Sequence, residues 1–337
     1  SMFNGATKFD QNLSKWDTHS VTDMSLMFKD ATSFNGDISG WDVSRVMNMS
    51  SMFNGATKFD QNLSKWDTHS VTDMSSMFKD ATSFNGDISG WDVSWVTNMS
   101  SMFKGATKFD QNLSNWKTHS VTDMSSMFKG ATSFNGDISG WDVSRVTNMI
   151  QMFSGATEFN GNISKWNVSQ VVNMQELFNG ATKFNQNLSN WKTHNVRNMS
   201  GMFIGATSFR GDISGWDTHS VIDMSSMFKG ATSFNGDISG WDTHSVIDML
   251  SMFKGARSFN CDISGWDVSE VRIMAEMFHG AMMFDQSLEK WNVRNTSSWK
   301  DFFKESGISK ENYCKTIQNL VFKKNMDKLG ISFVCEP

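Results

Sequence analysis

The chain has 337 residues, a formal net charge of −5 and 19% charged residues, so no basic surface is available for nucleic acid or anionic lipid. No apolar run approaches the roughly 18 residues that a membrane-spanning helix needs. We therefore expect neither a nucleic-acid partner nor a transmembrane segment in this sequence.

A 25-residue unit organises residues 1–300, where it follows itself twelve times without an insertion or a deletion. A fixed period of 20–50 residues is typical of stacked repeats. Each unit is too short to bury its own apolar face, so it must pack on its neighbours. We number the columns of the unit from Ser1, so that column 1 recurs at every twenty-fifth residue. The pattern predicts a solenoid of twelve coils.

Apolar columns supply the predicted core. Columns 3 and 9 are Phe and column 16 is Trp in all twelve units, and columns 2 and 24 are nearly always Met. Stacking successive units would place each ring on the same ring of the coils above and below, where aromatic and sulfur–aromatic contacts are favourable. Because the pattern repeats in every unit, we interpret it as core, and we predict no cofactor.

The spacing within one unit predicts two short elements per coil. Inward residues alternate with outward ones over residues 138–143, which favours a strand. Apolar residues then recur at three- and four-residue spacing from Val146 to Phe153, which favours a short helix. We expect a left-handed glycine at column 5, as in Gly155, near the end of that helix. Asp or Asn at column 23 is expected to cap a turn or to form a ladder.

The end of the chain departs from the period. The unit at residues 276–300 is degenerate, as a terminal repeat should be, and residues 301–337 carry helical patterning around residues 312–329. We predict a stack over residues 1–300 and a C-terminal helical cap over residues 301–337. Because the first unit is an ordinary one, we expect the native N-terminus and any targeting segment to lie outside this sequence.

Three cysteines are too few for a disulfide framework. Cys314 and Cys335 both lie in the predicted cap, where they either pair in an oxidising compartment or remain two buried thiols. Cys261 replaces a glycine of the unit and is interpreted as drift. Because the sequence contains no Cys-x-x-Cys, it gives no support for a structural zinc site.

Residues 84–103, FNGDISGWDVSWVTNMSSMF, carry the hallmark of a known repeat. The sequence resembles the bacterial surface-antigen (BspA-like) and Mycoplasma-lipoprotein family of 25-residue repeats. The resemblance implies a right-handed, leucine-rich-repeat-like solenoid on secreted or cell-surface proteins, often concerned with adhesion. It brings no catalytic residues to this chain.

Column 17 and one exposed tryptophan form the candidate partner-binding face. Aspartates at column 17 would repel one another unless they were screened or bridged. A carboxylate ladder could bind a cation, yet Lys117 interrupts the column, and we favour a solvated acidic face. Trp95 replaces Arg or Ser at column 20, and exposed Trp is enriched in binding hot spots, although drift in a copied repeat would produce it too. The candidate residues are Asp42, Asp67, Asp92, Trp95 and Asp142.

Columns 19 and 7 also carry polar residues that could support chemistry or binding. Six of the seven histidines share column 19, where His219 and His244 lie on adjacent coils but most other neighbours are two coils apart, so we interpret the column as exposed and predict no metal. Ser, His and Asp recur together, but a uniform surface offers no single preorganised pocket, so we predict that the protein is not an enzyme. Column 7 is Thr in ten units, from Thr7 to Thr232, which keeps ice binding as a minor alternative.

We therefore expect a non-catalytic cell-surface or secreted protein that presents an extended face to a protein or glycan. The rival hypothesis is a structural spacer or matrix scaffold without a specific ligand. A recognition face needs clustered anchors that do not repeat, whereas a spacer tolerates a face that is copied from unit to unit.

Overall fold

The computed structural model describes residues 2–335 of the chain. The chain divides into two compact units, Ser1–Gln170 and Val171–Pro337, and the boundary falls within the seventh coil. Both units are built of the 25-residue coils that the sequence predicts, and the second unit also contains the C-terminal segment.

Within each unit, successive coils stack in parallel register. Isolated parallel bridges join column 23 of one coil to column 23 of the next, as between Asn48 and Asp73 in the first unit and between Asp223 and Asp248 in the second. Within each unit, the backbone N–H groups of columns 24, 1, 3 and 5 donate to carbonyls 24 residues later in the chain. Where the second coil passes into the third, these donors are Met49, Ser51, Phe53 and Gly55, with N···O distances of 2.7–3.0 Å.

The prediction of one strand and one short helix in each coil is wrong. Over residues 2–309 the structure consists of turns and isolated bridges, without a helix. Trp141 N–H donates to the Ile138 carbonyl at 3.2 Å, so the predicted strand is a tight turn. The predicted helix is interrupted at column 1, where Gln151 has a left-handed φ of 57°. A chain of three-residue turns brings side chains inward at nearly the helical spacing, which explains why the pattern resembled a helix.

Two local predictions are confirmed. Gly155 has a φ of 73°, and the aspartates that replace glycine at column 5 in two coils, Asp30 and Asp80, are also left-handed. Aspartate tolerates that conformation better than most residues do. At column 23, the Asn48 side chain accepts the Ser50 N–H at 2.9 Å, so this column caps a turn.

The aromatic columns form the core that the sequence predicts. Phe28 stacks on Phe34 of its own coil with ring centroids 3.9 Å apart, and on Phe53 of the next coil at 5.6 Å. Every column-16 Trp from Trp41 to Trp291 is buried. Within each unit, the indole N–H groups donate to the column-13 carbonyl of the coil before, as from Trp41 to Leu13 at 3.0 Å and from Trp216 to Leu188 at 2.9 Å, so these large apolar side chains carry no unsatisfied polar atom.

The C-terminal segment covers the last coil of the second unit. It contains α1 (Lys310–Thr316), α2 (Leu320–Lys324) and a 3₁₀ turn (Met326–Lys328). The Asn319 side chain donates to the Trp291 carbonyl at 2.8 Å, and Phe322 packs edge-on against Trp299 at 5.0 Å. Cys314 and Cys335 form a disulfide with a Cα–Cα distance of 5.6 Å, which decides between the two alternatives for this pair.

Candidate functional site

An open groove of about 750 Å³ lies on the surface of the first unit beside Trp95. We call it the Trp95 groove. It is formed by columns 19, 20 and 22 of neighbouring coils, and its lining side chains are Thr22, Ser44, Arg45, Met47, His69, Ser70, Thr72 and Trp95.

Two exposed apolar side chains mark the Trp95 groove. Trp95 is 67% exposed and Met47 is 55% exposed, which is unusual in a chain whose other tryptophans are mostly core residues. Met47 lies on the second coil and Trp95 on the fourth, and the third coil between them carries the smaller side chains of Ser70 and Thr72 at these columns. The arrangement offers a flat aromatic face beside a shallow depression with hydroxyl groups.

The hydroxyl groups of the depression are anchored to the backbone below. Ser70 Oγ donates to the Ser44 carbonyl at 2.7 Å, and Thr72 Oγ1 donates to the Met47 carbonyl at 3.2 Å. Their lone pairs remain available as acceptors towards the groove. The exposed Arg45 guanidinium supplies a positively charged donor beside them. The groove therefore combines an aromatic surface with both donors and acceptors.

An Asp–His–Ser arrangement lies at the edge of the groove. Asp67 Oδ1 is 2.8 Å from His69 Nδ1, and His69 Nε2 is 3.1 Å from Ser70 Oγ. The same order of contacts recurs at the His219 and His244 coils of the second unit. The His69 side chain is 53% exposed. Acyl-transfer chemistry is favoured in a water-excluded site, whereas this imidazole is largely exposed to solvent.

The structure brings part of the predicted partner-binding face together. Trp95 lines the groove, Asp67 holds His69 at its edge, and Asp42 accepts both the N–H and the hydroxyl of Ser44, at 3.0 and 2.6 Å. The remaining two aspartates lie elsewhere. Asp92 faces a smaller groove of about 250 Å³ with Lys117, and Asp142 caps its own turn through the Ser144 N–H.

Local hydrogen bonds lower the pKa of most column-17 carboxylates, of which two serve as examples. The side chain and the N–H of Ser44 lower the pKa of Asp42, with smaller contributions from His19 and Arg45. The hydrogen bond from His219 lowers the pKa of Asp217 in the same way. Asp42 and Asp217 are therefore charged at neutral pH.

Arg45 and Met47 were not among the predicted site residues, although the sequence contains a signal for both. Residues 26–50 and 76–100 differ at only three positions, and two of these are the pairs Arg45/Trp95 and Met47/Thr97. Two of the three departures from an otherwise copied repeat thus fall in columns 20 and 22, which line one groove.

The side chains of columns 19 and 7 form hydrogen bonds within the stack. His19, His69, His219 and His244 each place Nδ1 within 2.6–2.8 Å of the column-17 Asp of their own coil. At column 7, Thr32 and Thr57 each donate the hydroxyl proton to the Thr carbonyl of the coil before, at 3.3 and 3.2 Å. The hydroxyl protons of these two threonines are therefore directed into the stack.

Parallel stacking of identical coils defines the chain as a tandem-repeat protein. The sequence matches the family described as "Mycoplasma protein of unknown function, DUF285" over residues 1–85, 61–154, 135–231 and 209–316. These overlapping matches cover most of the chain, and the protein belongs to this family, in agreement with the predicted Mycoplasma-type repeat. No curated protein matches the sequence. Among the described residues, no helix is long and apolar enough to cross a membrane.

Proposed function

We propose that the protein is a non-catalytic, BspA-like cell-surface or secreted repeat protein that binds an extracellular protein or glycan through the Trp95 groove. The observation that carries this proposal is the 67% exposed Trp95 beside a depression lined with polar groups. Large exposed aromatic residues with Arg nearby are the usual anchors of binding surfaces. For the path of the coils, we propose the right-handed, leucine-rich-repeat-like winding that the resemblance implies.

The distribution of copied and altered residues supports recognition over the rival spacer function. Most outward columns are copied from coil to coil, as a spacer would tolerate. Met47 and Trp95 break the copying, and both line the same groove. Anchors that cluster and do not repeat are what a specific contact requires.

The disulfide between Cys314 and Cys335 supports the extracellular location. Disulfides persist in oxidising compartments and are rare in the cytosol. Both cysteines lie in the segment that covers the last coil, so the covalent link closes the part of the molecule that protects the end of the stack.

The proposed function is tested by a binding screen against panels of glycans and extracellular-matrix proteins, with Trp95→Arg measured in parallel. Arg is the native residue of column 20 in two other coils, so this variant is expected to fold. We expect its affinity to fall at least about tenfold, the loss typical of a hot-spot residue.

The matched control is Arg145→Trp, which places an exposed Trp at column 20 of a coil without a neighbouring Met47 equivalent. We expect this variant to keep the original affinity and to gain no second site. Binding that survives Trp95→Arg would assign recognition to another face. The absence of binding by a protein shown to be folded would favour the spacer function instead.

A further inference from the structure

Four side chains that could ligate a metal meet where the last coil of the second unit passes into the C-terminal segment. His279 Nδ1 lies 4.0 Å from Glu276 Oε1, and His279 Nε2 lies 3.8 Å from Glu305 Oε2. One donor atom each from Glu276, His279 and Asp301 lies within 4.8 Å of the others. We call these four residues the His279 cluster.

The imidazole at the centre of the His279 cluster has an unsatisfied nitrogen. The His279 side chain is only 18% exposed, and its Nδ1 atom is buried without a hydrogen-bond partner. The 4.0 Å to Glu276 exceeds the 2.7–3.2 Å of an ordinary hydrogen bond. A buried polar atom without a partner is costly, so it points to a ligand that the protein atoms do not supply.

The members of the cluster depart from the repeat together. His279 is the one histidine of seven outside column 19, at a column that otherwise holds mainly Lys or Asn. Glu276 and Asp301 stand at column 1, where Ser is the commonest residue. Glu305 continues column 5, where ten coils have Gly, and it adopts a left-handed φ of 57°.

We propose that Glu276, His279 and Asp301 bind a divalent cation of the zinc type, with Glu305 beside them. Zinc binds imidazole nitrogen at about 2.0–2.1 Å and carboxylate oxygen at about 2.0–2.2 Å. One ion between donors about 4 Å apart therefore satisfies atoms that are too distant to bond to each other. Imidazole and carboxylate are donors that zinc accepts readily.

The surrounding charges are compatible with a bound cation. Lys254 Nζ is 2.8 Å from Glu276 Oε2 and Lys304 Nζ is 3.8 Å from Asp301 Oδ2. Lys254 therefore occupies one Glu276 oxygen, while the other oxygen, Oε1, faces His279. The carboxylates of Glu276, Asp301 and Glu305 outnumber the two lysine ammonium groups by one. The surroundings therefore keep one net negative charge, which a bound cation would offset.

The site would join the last coil to the segment that covers it. Glu276 and His279 belong to the coil, whereas Asp301 and Glu305 belong to the chain that follows. The Asp301 N–H donates to the Lys328 carbonyl at 2.8 Å, so this chain also contacts the end of the covering segment. A ligand that binds only the folded state stabilises it in proportion to ligand concentration.

Zinc titration of the whole chain by isothermal calorimetry, after dialysis against a chelator, tests the site. All samples carry the substitution Cys261→Gly, which removes a competing thiol. Glycine is the native residue at that column in many coils. We expect one zinc per chain and a rise in Tm that the chelator reverses. His279→Asn and Glu276→Ser, which introduce residues native to their columns, should each weaken zinc binding at least tenfold.

The matched control removes the adjacent column-19 histidines, with His219→Ser and His244→Ser in one chain. We expect this control to bind zinc as the parent does. The proposal is overturned if the parent takes up no zinc. It is also overturned if binding survives both His279→Asn and Glu276→Ser, or if it disappears in the column-19 control alone.

Discussion

At the scale of single residues, Trp141 shows how one side chain connects three coils. Its ring stacks on Trp116 at 6.0 Å and on Trp166 at 6.3 Å, and its Nε1 donates to the Leu113 carbonyl at 2.9 Å. The residue is 4% exposed. This buried side chain therefore combines extensive apolar contact with a polar atom whose hydrogen bond is satisfied.

Trp141→Ala should therefore lower the free energy of unfolding by about 3–5 kcal/mol, because it opens a cavity and leaves the Leu113 carbonyl without its donor. Denaturant unfolding followed by circular dichroism measures the loss. The matched control is Trp95→Ala, where an exposed indole is truncated and the change should stay within about 0.5 kcal/mol. A loss below about 1 kcal/mol for Trp141→Ala would show that column 16 does not hold the stack.

Asp248 is a residue whose charge opposes folding. Burial raises its pKa, the Leu250 N–H lowers it in part, and the nearby Asp223 carboxylate raises it further. A carboxyl whose pKa is raised in the folded state favours the unfolded state once both forms ionise, so it destabilises the protein at neutral pH.

Asp248→Asn is expected to raise Tm at pH 7, since Asn can accept the same N–H and is the native residue at column 23 of several coils. The gain should vanish near pH 3, where the carboxyl is protonated in both states. Asp23→Asn is the control, because hydrogen bonds from Ser25 lower the pKa of Asp23 and the change should not stabilise. Equal Tm changes for the two variants at pH 7 would contradict this account.

At the scale of elements, the sequence predicted the stack and its core better than the path within a coil. The Phe and Trp columns specify which side chains lie inward, and translation by 25 residues requires them to stack on themselves. Whether the backbone between them is a helix or a series of turns depends on competing hydrogen-bond partners. In the stack, carbonyls of the following coil capture the alternate N–H groups, as Met77 does with Phe53, and a helix would need those groups for itself.

The sequence likewise predicted only part of the candidate site. Trp95 stands out because it is a large apolar residue at an outward column, and the structure places it in a groove. Met47 stands out in the sequence as a departure from a copied unit, but its contribution to the groove depends on which side chains of three coils share one surface. The His279 cluster required the fold of residues 301–305, which no longer follow the repeat in sequence.

The disulfide in the covering segment allows a test at this scale. Linking Cys314 to Cys335, 21 residues apart, restricts the unfolded chain and contributes about 3 kcal/mol in the loop-entropy estimate. Cys314→Ser should therefore make residues 301–335 the first part to open, with earlier cleavage there in limited proteolysis. Cys261→Gly is the control and should leave the cleavage pattern unchanged. Unchanged proteolysis of Cys314→Ser would show that packing alone holds the segment.

At the scale of the whole molecule, copying of the unit multiplies one local interaction many times. Aspartates at columns 12 and 17 accept the N–H of the residue two positions later, as Asp137 does from Ser139 and Asp142 from Ser144. These hydrogen bonds lower the pKa of both carboxyls. The shifted aspartates are Asp17, Asp37, Asp42, Asp92, Asp137, Asp142, Asp217, Asp237, Asp242, Asp262 and Asp267.

The shared direction of these shifts predicts the acid response of the protein. A carboxyl whose pKa is lowered on folding stabilises the native state above its unfolded pKa of about 3.9, and the contribution disappears as pH falls through the folded pKa. Tm should therefore hold from about pH 7 to pH 5 and fall steadily below about pH 4.

Because the shifts arise chiefly from hydrogen bonds within one turn, the fall should persist in 1 M salt, which screens charges beyond about 3 Å. A scan of Tm against pH at low and high salt measures both effects. A fall that salt abolishes would assign the acid response to repulsion between coils, and a flat profile down to pH 2.5 would show that these turns do not stabilise the folded chain.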